Sequence, residues 1–281
     1  MNALKTALLL GLLSGLLVVG GQALGGKQGM TIGLLIAVGM NFFSYFFSEK
    51  MALMSSGAVR VNETQNSQVF YRIAPMTQRL CEKLGIPMPK LWVIPERAPN
   101  AFATGRNPNH SSVAITAGLL ELMNDDELEG VIAHELGHIK NRDILISSIA
   151  ATIGAAITYM AQMALFFGGR RGDDDEGPNP LVAILMLFLA PMAAGIIQMA
   201  ISRTREFSAD ATAAHAIGSG RGLASALEQL EGWSKRIPMH TSENMSHMYI
   251  VKPLTGETFA KLFSTHPPTR ERIARLRAMN V

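Results

Sequence analysis

Residues 4–24 and 30–47 form two long apolar runs separated only by GGKQG, and the second carries no charged side chain. Each approaches the roughly 20 residues that a helix needs to cross the hydrocarbon of a bilayer. A backbone facing lipid must satisfy its own polar groups, so such runs fold there as helices, and the short break makes the pair a hairpin. A cleaved leader fits poorly, because the first run exceeds a usual signal-peptide core and a second follows at once.

Two further runs, residues 144–169 and 181–201, also lack charge. The first of them includes Ser147, Ser148, Thr152, Thr158 and Gln162, and the second contains Pro191 and Gly195. Membrane bundles tolerate such kinks where neighbours satisfy the freed carbonyl. A buried helical pair in a soluble core is the competing reading for these two. The connector RRGDDDEGPN, residues 170–179, is polar and turn-rich and belongs in water. Near the span ends, Lys5, Lys50, Arg60, Lys140, Arg142, Arg203 and Arg205 fall on one side, against Lys27, Arg170 and Arg171 on the other. The richer side is expected to be cytoplasmic, together with both termini. Gly11 with Gly15, and Gly21 with Gly25, offer small surfaces on which helices can approach.

Composition agrees. The chain of 281 residues is 48% hydrophobic and 17% charged, which excludes a disordered polymer. A net charge of +3, dispersed along the sequence, leaves no footprint for nucleic acid. The single cysteine, Cys81, excludes an internal disulfide and a cysteine-rich metal cluster.

The polar parts mix structure types. Val69, Ile73, Met76, Leu80 and Leu84 recur at helical spacing and stop at Gly85. Residues 91–94 read as a strand, and residues 101–104 and 112–116 flank the turn-rich GRNPNH as a hairpin. Helices are expected again over residues 203–217, 223–233 and 267–279. The fold class is therefore α+β and mostly helical: an integral membrane protein with about four transmembrane helices and a catalytic domain carrying a small β-sheet. Its divisions are a transmembrane hairpin (1–48), a first catalytic half (49–143), a second hairpin (144–202) and a second catalytic half (203–281).

The segment NDDELEGVIAHELGHIKNRD, residues 124–143, carries the chemistry. Asn124 and Glu127 are spaced as a reciprocal helix cap, and Asp125 and Asp126 complement the positive end of the helix dipole. Within the helix His134 and His138 are one turn apart, so both imidazoles can converge on one metal ion. Glu135, next to the first ligand, reaches a water beside the metal, the place a general base requires. With 7 histidines in 281 residues, composition alone yields this HExxH pattern only about 0.01 times per chain. Zinc suits imidazole and carboxylate donors, at one ion per chain. A third ligand is not found as a nearby histidine, since Ile144 stands where the extended pattern needs one. A distant carboxylate is the other solution. Glu206 has Asp210 one turn later, so one acid can bind metal while the other orients an imidazole; an exposed face of charges beside Arg203 and Arg205 is the alternative.

HELGH at 134–138, REFSAD at 205–210, NAFATG at 100–105 and THPPTRERI at 265–273 together resemble the HtpX-type membrane zinc metalloproteases, a zincin-like family related to the CAAX prenyl proteases. The resemblance covers nearly the whole chain. It implies zinc held by His134, His138 and Glu206 and catalysis by Glu135, which leaves Asp210 as the acid that orients an imidazole. It also implies that Asn100, Ala101, Phe102, Ala103 and Thr104 form the edge strand along which a substrate peptide lies. His266 and Arg270 resemble residues near the cleft, with a helix start as the alternative. The implied function is cleavage of misfolded or damaged membrane and other proteins at the bacterial inner membrane. A dedicated processing protease of the prenyl-protein type and a non-cutting, metal-binding membrane chaperone are the competitors. Polypeptide substrates and the lipid bilayer are thus the expected partners, and the sequence leaves the oligomeric state open. His110, His215, His240 and His247 read as surface or loop residues.

Overall fold

The computed structural model describes residues 2–146, 203–234, 267–279 and 281. The connector 170–179, the fourth apolar run, all but the opening of the third, His240, His247 and His266 lie outside the described residues.

Both N-terminal runs fall in α1 (Asn2–Ser55). It is not one rod. Gly26 has φ +58°, and beyond it the chain doubles back on itself. Gly33 meets the Leu17 carbonyl so closely that no Cβ would fit, and Asn41 Nδ2 donates to Ser14 Oγ at 2.9 Å. The close approach is made at Gly33, whereas a Cβ on Gly11 or Gly15 would meet none of the described residues. Among the described residues no single helix is long and apolar enough to cross a membrane, although Gly26–Phe43 and Tyr45–Ser55, bent by 64° at their junction, suffice together by length and composition.

A four-stranded mixed sheet follows, from β1 (Val59–Val61), β2 (Lys90–Ile94), β3 (Ala101–Asn107) and β4 (His110–Thr116), in the order β1-β2-β4-β3. β2 runs parallel to β4 with Leu91 opposite Val113, and β3 and β4 form the antiparallel hairpin around GRNPNH. The helix α2 (Ser67–Leu84) ends as its periodicity predicts, with Gly85 left-handed at φ 67° and its N–H turned to the Cys81 and Glu82 carbonyls. β1 and the short α3 (Ala117–Leu122) are additions to the elements expected from the sequence.

The helix α4 (Asp125–Lys140) lies at the centre, in contact with β3 and β4 as well as with α5 (Arg203–Ile217) and α6 (Arg221–Ser234). Its N-terminus is closed by the anticipated capping box, Asn124 with Glu127. Leu128, Val131, Ile132, Leu136 and Ile139 on α4 are all fully buried. At about 1.5–3 kcal/mol for each such side chain, this burial holds the catalytic helix far more firmly than its caps do. Gly137 faces α5 so closely that an added Cβ would lie 3.1 Å from Ala209 Cα. The small residues at that crossing bring the two helix backbones together. Ile273 and Leu276 of α7 (Thr269–Ala278) complete the same core.

Candidate active site

On α4 the one-turn spacing sets the His134 and His138 rings 4.7 Å apart. The first turn of α5 brings Glu206 to them, with Oε2 3.7 Å from His134 Nε2 and Oε1 3.5 Å from His138 Nε2. The three donor atoms all lie within 4.8 Å of one another. A tetrahedral zinc with bonds of about 2.0–2.1 Å holds its ligands about 3.3 Å apart, close to the 3.5 and 3.7 Å from Glu206 to the two rings. Two imidazoles and one carboxylate are the donor set of a catalytic zinc, which keeps its fourth position for water or substrate. The residues fit the metal.

Each imidazole is steered from behind. His134 Nδ1 donates to Asp210 Oδ1 at 2.9 Å, and His138 Nδ1 donates to Asp143 Oδ2 at 3.2 Å. These bonds leave both Nε2 atoms facing Glu206. Asp210 sits one turn beyond Glu206, as the spacing predicts. Asp143 was not anticipated. It follows the C-terminus of α4, where Arg142 is left-handed at φ 58° and the Asp143 N–H donates to the His138 carbonyl at 2.9 Å. The only trace of it in the sequence is an acid five residues after the second histidine.

A further unanticipated residue is Arg272 on α7, which is 1% exposed. Its Nε and Nη2 bind the two Asp210 oxygens at 2.8 and 2.7 Å, and its Nη1 lies 3.3 Å from Glu206 Oε2. Arg270 occupies the exposed face of α7, because residues two apart on a helix diverge by about 200°. Arg272 takes the inward face with Ile273 and Leu276.

Electrostatics follow from burial. Burial raises the Glu135 carboxyl pKa above its usual range, and the Glu206 charge adds to that, against the lowering influence of both histidines and of the Ala103 N–H, which donates to the carboxylate. Burial alone would lower the His138 pKa, but the Asp143 hydrogen bond and the Glu206 and Glu135 charges outweigh it and lift the pKa to about 9. Asp210 is also opposed by burial, yet Arg272 holds it down at about 2. His138 would bind zinc as the neutral ring, so zinc binding here would weaken as pH falls.

Ala101, Phe102, Ala103 and Thr104 lie on β3, the edge strand of the sheet, and all four side chains are buried. Ala103 puts that strand beside Glu135. Asn100 just precedes it and is tied to Thr116, whose Oγ1 accepts from the Asn100 N–H at 2.8 Å. His110 and His215 are exposed.

This is a site for hydrolysis assisted by a metal and a general base, and the comparisons with known proteins agree. The profile described as Peptidase family M48 matches residues 67–280, from the start of α2 to beyond the end of α7. The chain is 52% identical to a "Protease HtpX homolog" of Desulfatibacillum aliphaticivorans over 279 residues, covering 98% of this chain and 89% of that one. To a "Protease HtpX homolog" of Pelotomaculum thermopropionicum it is 49% identical over 285 residues, covering 100% of both. In fold it is similar to crystalline S. mikatae Ste24p, with a TM-score of 0.53 at 17% identity, covering 98% of this chain. The match spans 65% of that longer protein. The fold and the site thus define a zinc-dependent metallopeptidase. The chain belongs to peptidase family M48.

Proposed function

We propose that the chain is an endopeptidase of the bacterial inner membrane that cleaves damaged or misfolded proteins, those of the membrane included. In this reading residues 1–48 lie in the bilayer, residues 144–202 return to it, and residues 49–143 and 203–281 form one catalytic body in the cytoplasm. The apolar surface of α1 supports the placement: Leu8, Val19, Leu35 and Phe42 are each more than half exposed, which suits lipid and not water. The observation that carries the hydrolytic reading is the convergence of His134, His138 and Glu206 beside a buried Glu135.

His134, His138 and Glu206 hold the zinc, which supplies Lewis-acid polarisation of a carbonyl and makes water more acidic. Glu135 accepts the proton of the attacking water and then delivers it to the leaving amine; its raised pKa brings it closer to the working pH, where proton transfer in both directions is efficient. Asp143 and Asp210 keep the imidazoles in the tautomer that presents Nε2. β3 offers a peptide main-chain hydrogen bonds that ignore side-chain identity, which supports a broad substrate range.

The purified chain in detergent should degrade an unfolded test protein, stop with a zinc chelator and resume with added zinc. Glu135→Gln should keep its zinc while turnover drops about 100- to 10,000-fold. Cleavage that persists without zinc, or at a normal rate in that variant, defeats the reading.

A further inference from the structure

Where α1 leaves its apolar arm it encloses, with the sheet, a cavity of about 350 Å3 whose lining includes Phe46, Glu49, Lys50, Leu53, Lys90 and Trp92. That volume falls within the range of small-ligand sites, roughly 300–1,000 Å3. The catalytic chemistry uses none of these residues. Two arginines stack on its aromatic wall residues: Arg60 lies 5.2 Å from the Trp92 ring centre and Arg106 lies 5.3 Å from that of Phe46. Two cations, Lys50 and Lys90, therefore line the cavity with one acid, and two more stack on the rings of its wall. That acid is engaged within the protein, since Glu49 Oε1 accepts from Ser112 Oγ at 2.7 Å and pairs with Lys90 at 3.5 Å. Trp92 Nε1 donates to the same Ser112 hydroxyl at 3.0 Å, which fixes the indole as a wall. Beside the cavity Phe42, Phe43, Phe46 and Phe47 are between 40% and 59% exposed, an apolar band that suits lipid and not water.

We propose that this cavity binds one anionic phospholipid, with its phosphodiester held by Lys50 and Arg60 and its acyl chain laid along Phe46 and the apolar arm of α1. An amphiphile with one anionic head and a hydrocarbon tail matches both halves of the lining, whereas a nucleic acid or an acidic peptide would leave the apolar half uncovered. Basic side chains at a membrane surface attract acidic lipids in this way. The proposal rests on the reading of α1 as membrane-inserted.

The test places the full chain in lipid nanodiscs of phosphatidylcholine, alone or mixed with phosphatidylglycerol, and measures the lipids that stay bound on release by native mass spectrometry. Phosphatidylglycerol should be retained in preference, at one molecule per chain. Lys50→Gln with Arg60→Gln should weaken that retention about 10- to 30-fold, at the energy of two surface cations. The single exposed substitution Lys50→Glu, which leaves the wall intact, should weaken it as well. Lys27→Gln, about 35 Å of helix from Lys50, should change nothing. Equal retention of the two lipids, or retention undiminished in the Lys50 variants, overturns the site alone. A chain that enters neither nanodisc overturns the site and the membrane reading together.

Discussion

Asp143 and Asp210 orient the His138 and His134 rings while standing outside the group of three that could hold a metal. Asp143→Asn and Asp210→Asn should each weaken zinc binding about 10- to 100-fold in competition with a chromogenic chelator, because an amide steers the imidazole less firmly. Asp210→Asn should also destabilise the fold by about 3–5 kcal/mol in denaturant, since it leaves the buried Arg272 without its main partner. Cys81 responds differently. Burial, with the neighbouring Glu82 charge, raises its thiol from 9.0 to about 11, so at pH 8 it holds about 100-fold less thiolate than an ordinary cysteine. Iodoacetamide should modify it slowly in the folded chain, faster as pH rises towards 11, and at the usual rate in denaturant. At this scale the sequence was readable where residues share one helix, as with His134, Glu135 and His138, or Glu206 and Asp210. It was not readable where a contact joins distant segments, and Arg272 is the clearest case. The apolar pair Ile273 and Leu276 marks the face on which Arg272 lies, a periodicity that separates it from Arg270.

Among the elements, α4 was legible because cap, dipole and apolar spacing agree along one stretch of chain. β1 was not, since three residues are too few to display a strand's alternation. The doubling back of α1 followed from its break at GGKQG, but its contact point did not: glycines four apart drew attention to Gly11 and Gly15, and the crossing selected Gly33. Gly33→Leu has no room for its side chain against Leu17 and should separate the two arms. A cysteine pair introduced at Ser14 and Asn41, whose side chains now meet, should crosslink in the parent chain and fail to do so in the Gly33→Leu background.

For the whole molecule, a zinc held by His134, His138 and Glu206 would join α4 and α5 across the long intervening segment. Zinc in about 100-fold excess over its dissociation constant should add about 2.7 kcal/mol to stability, read as a rise in melting temperature that a chelator reverses. Glu206→Gln should lose most of that gain while keeping much of the metal-free stability, because the core around Leu128, Leu136 and Leu223 does not depend on the site. The mixed architecture was foreseeable from the composition of each segment. The parallel pairing of β2 with β4 was not, because strand order arises from contacts that no local pattern records.

The order of ligands along the chain has a biosynthetic consequence. A nascent polypeptide that has emerged only as far as residue 146 has both imidazoles and the proton acceptor but not Glu206, Asp210 or Arg272. A zinc site built from these three ligands would therefore be completed late in translation, and products truncated before Glu206 should show no hydrolysis.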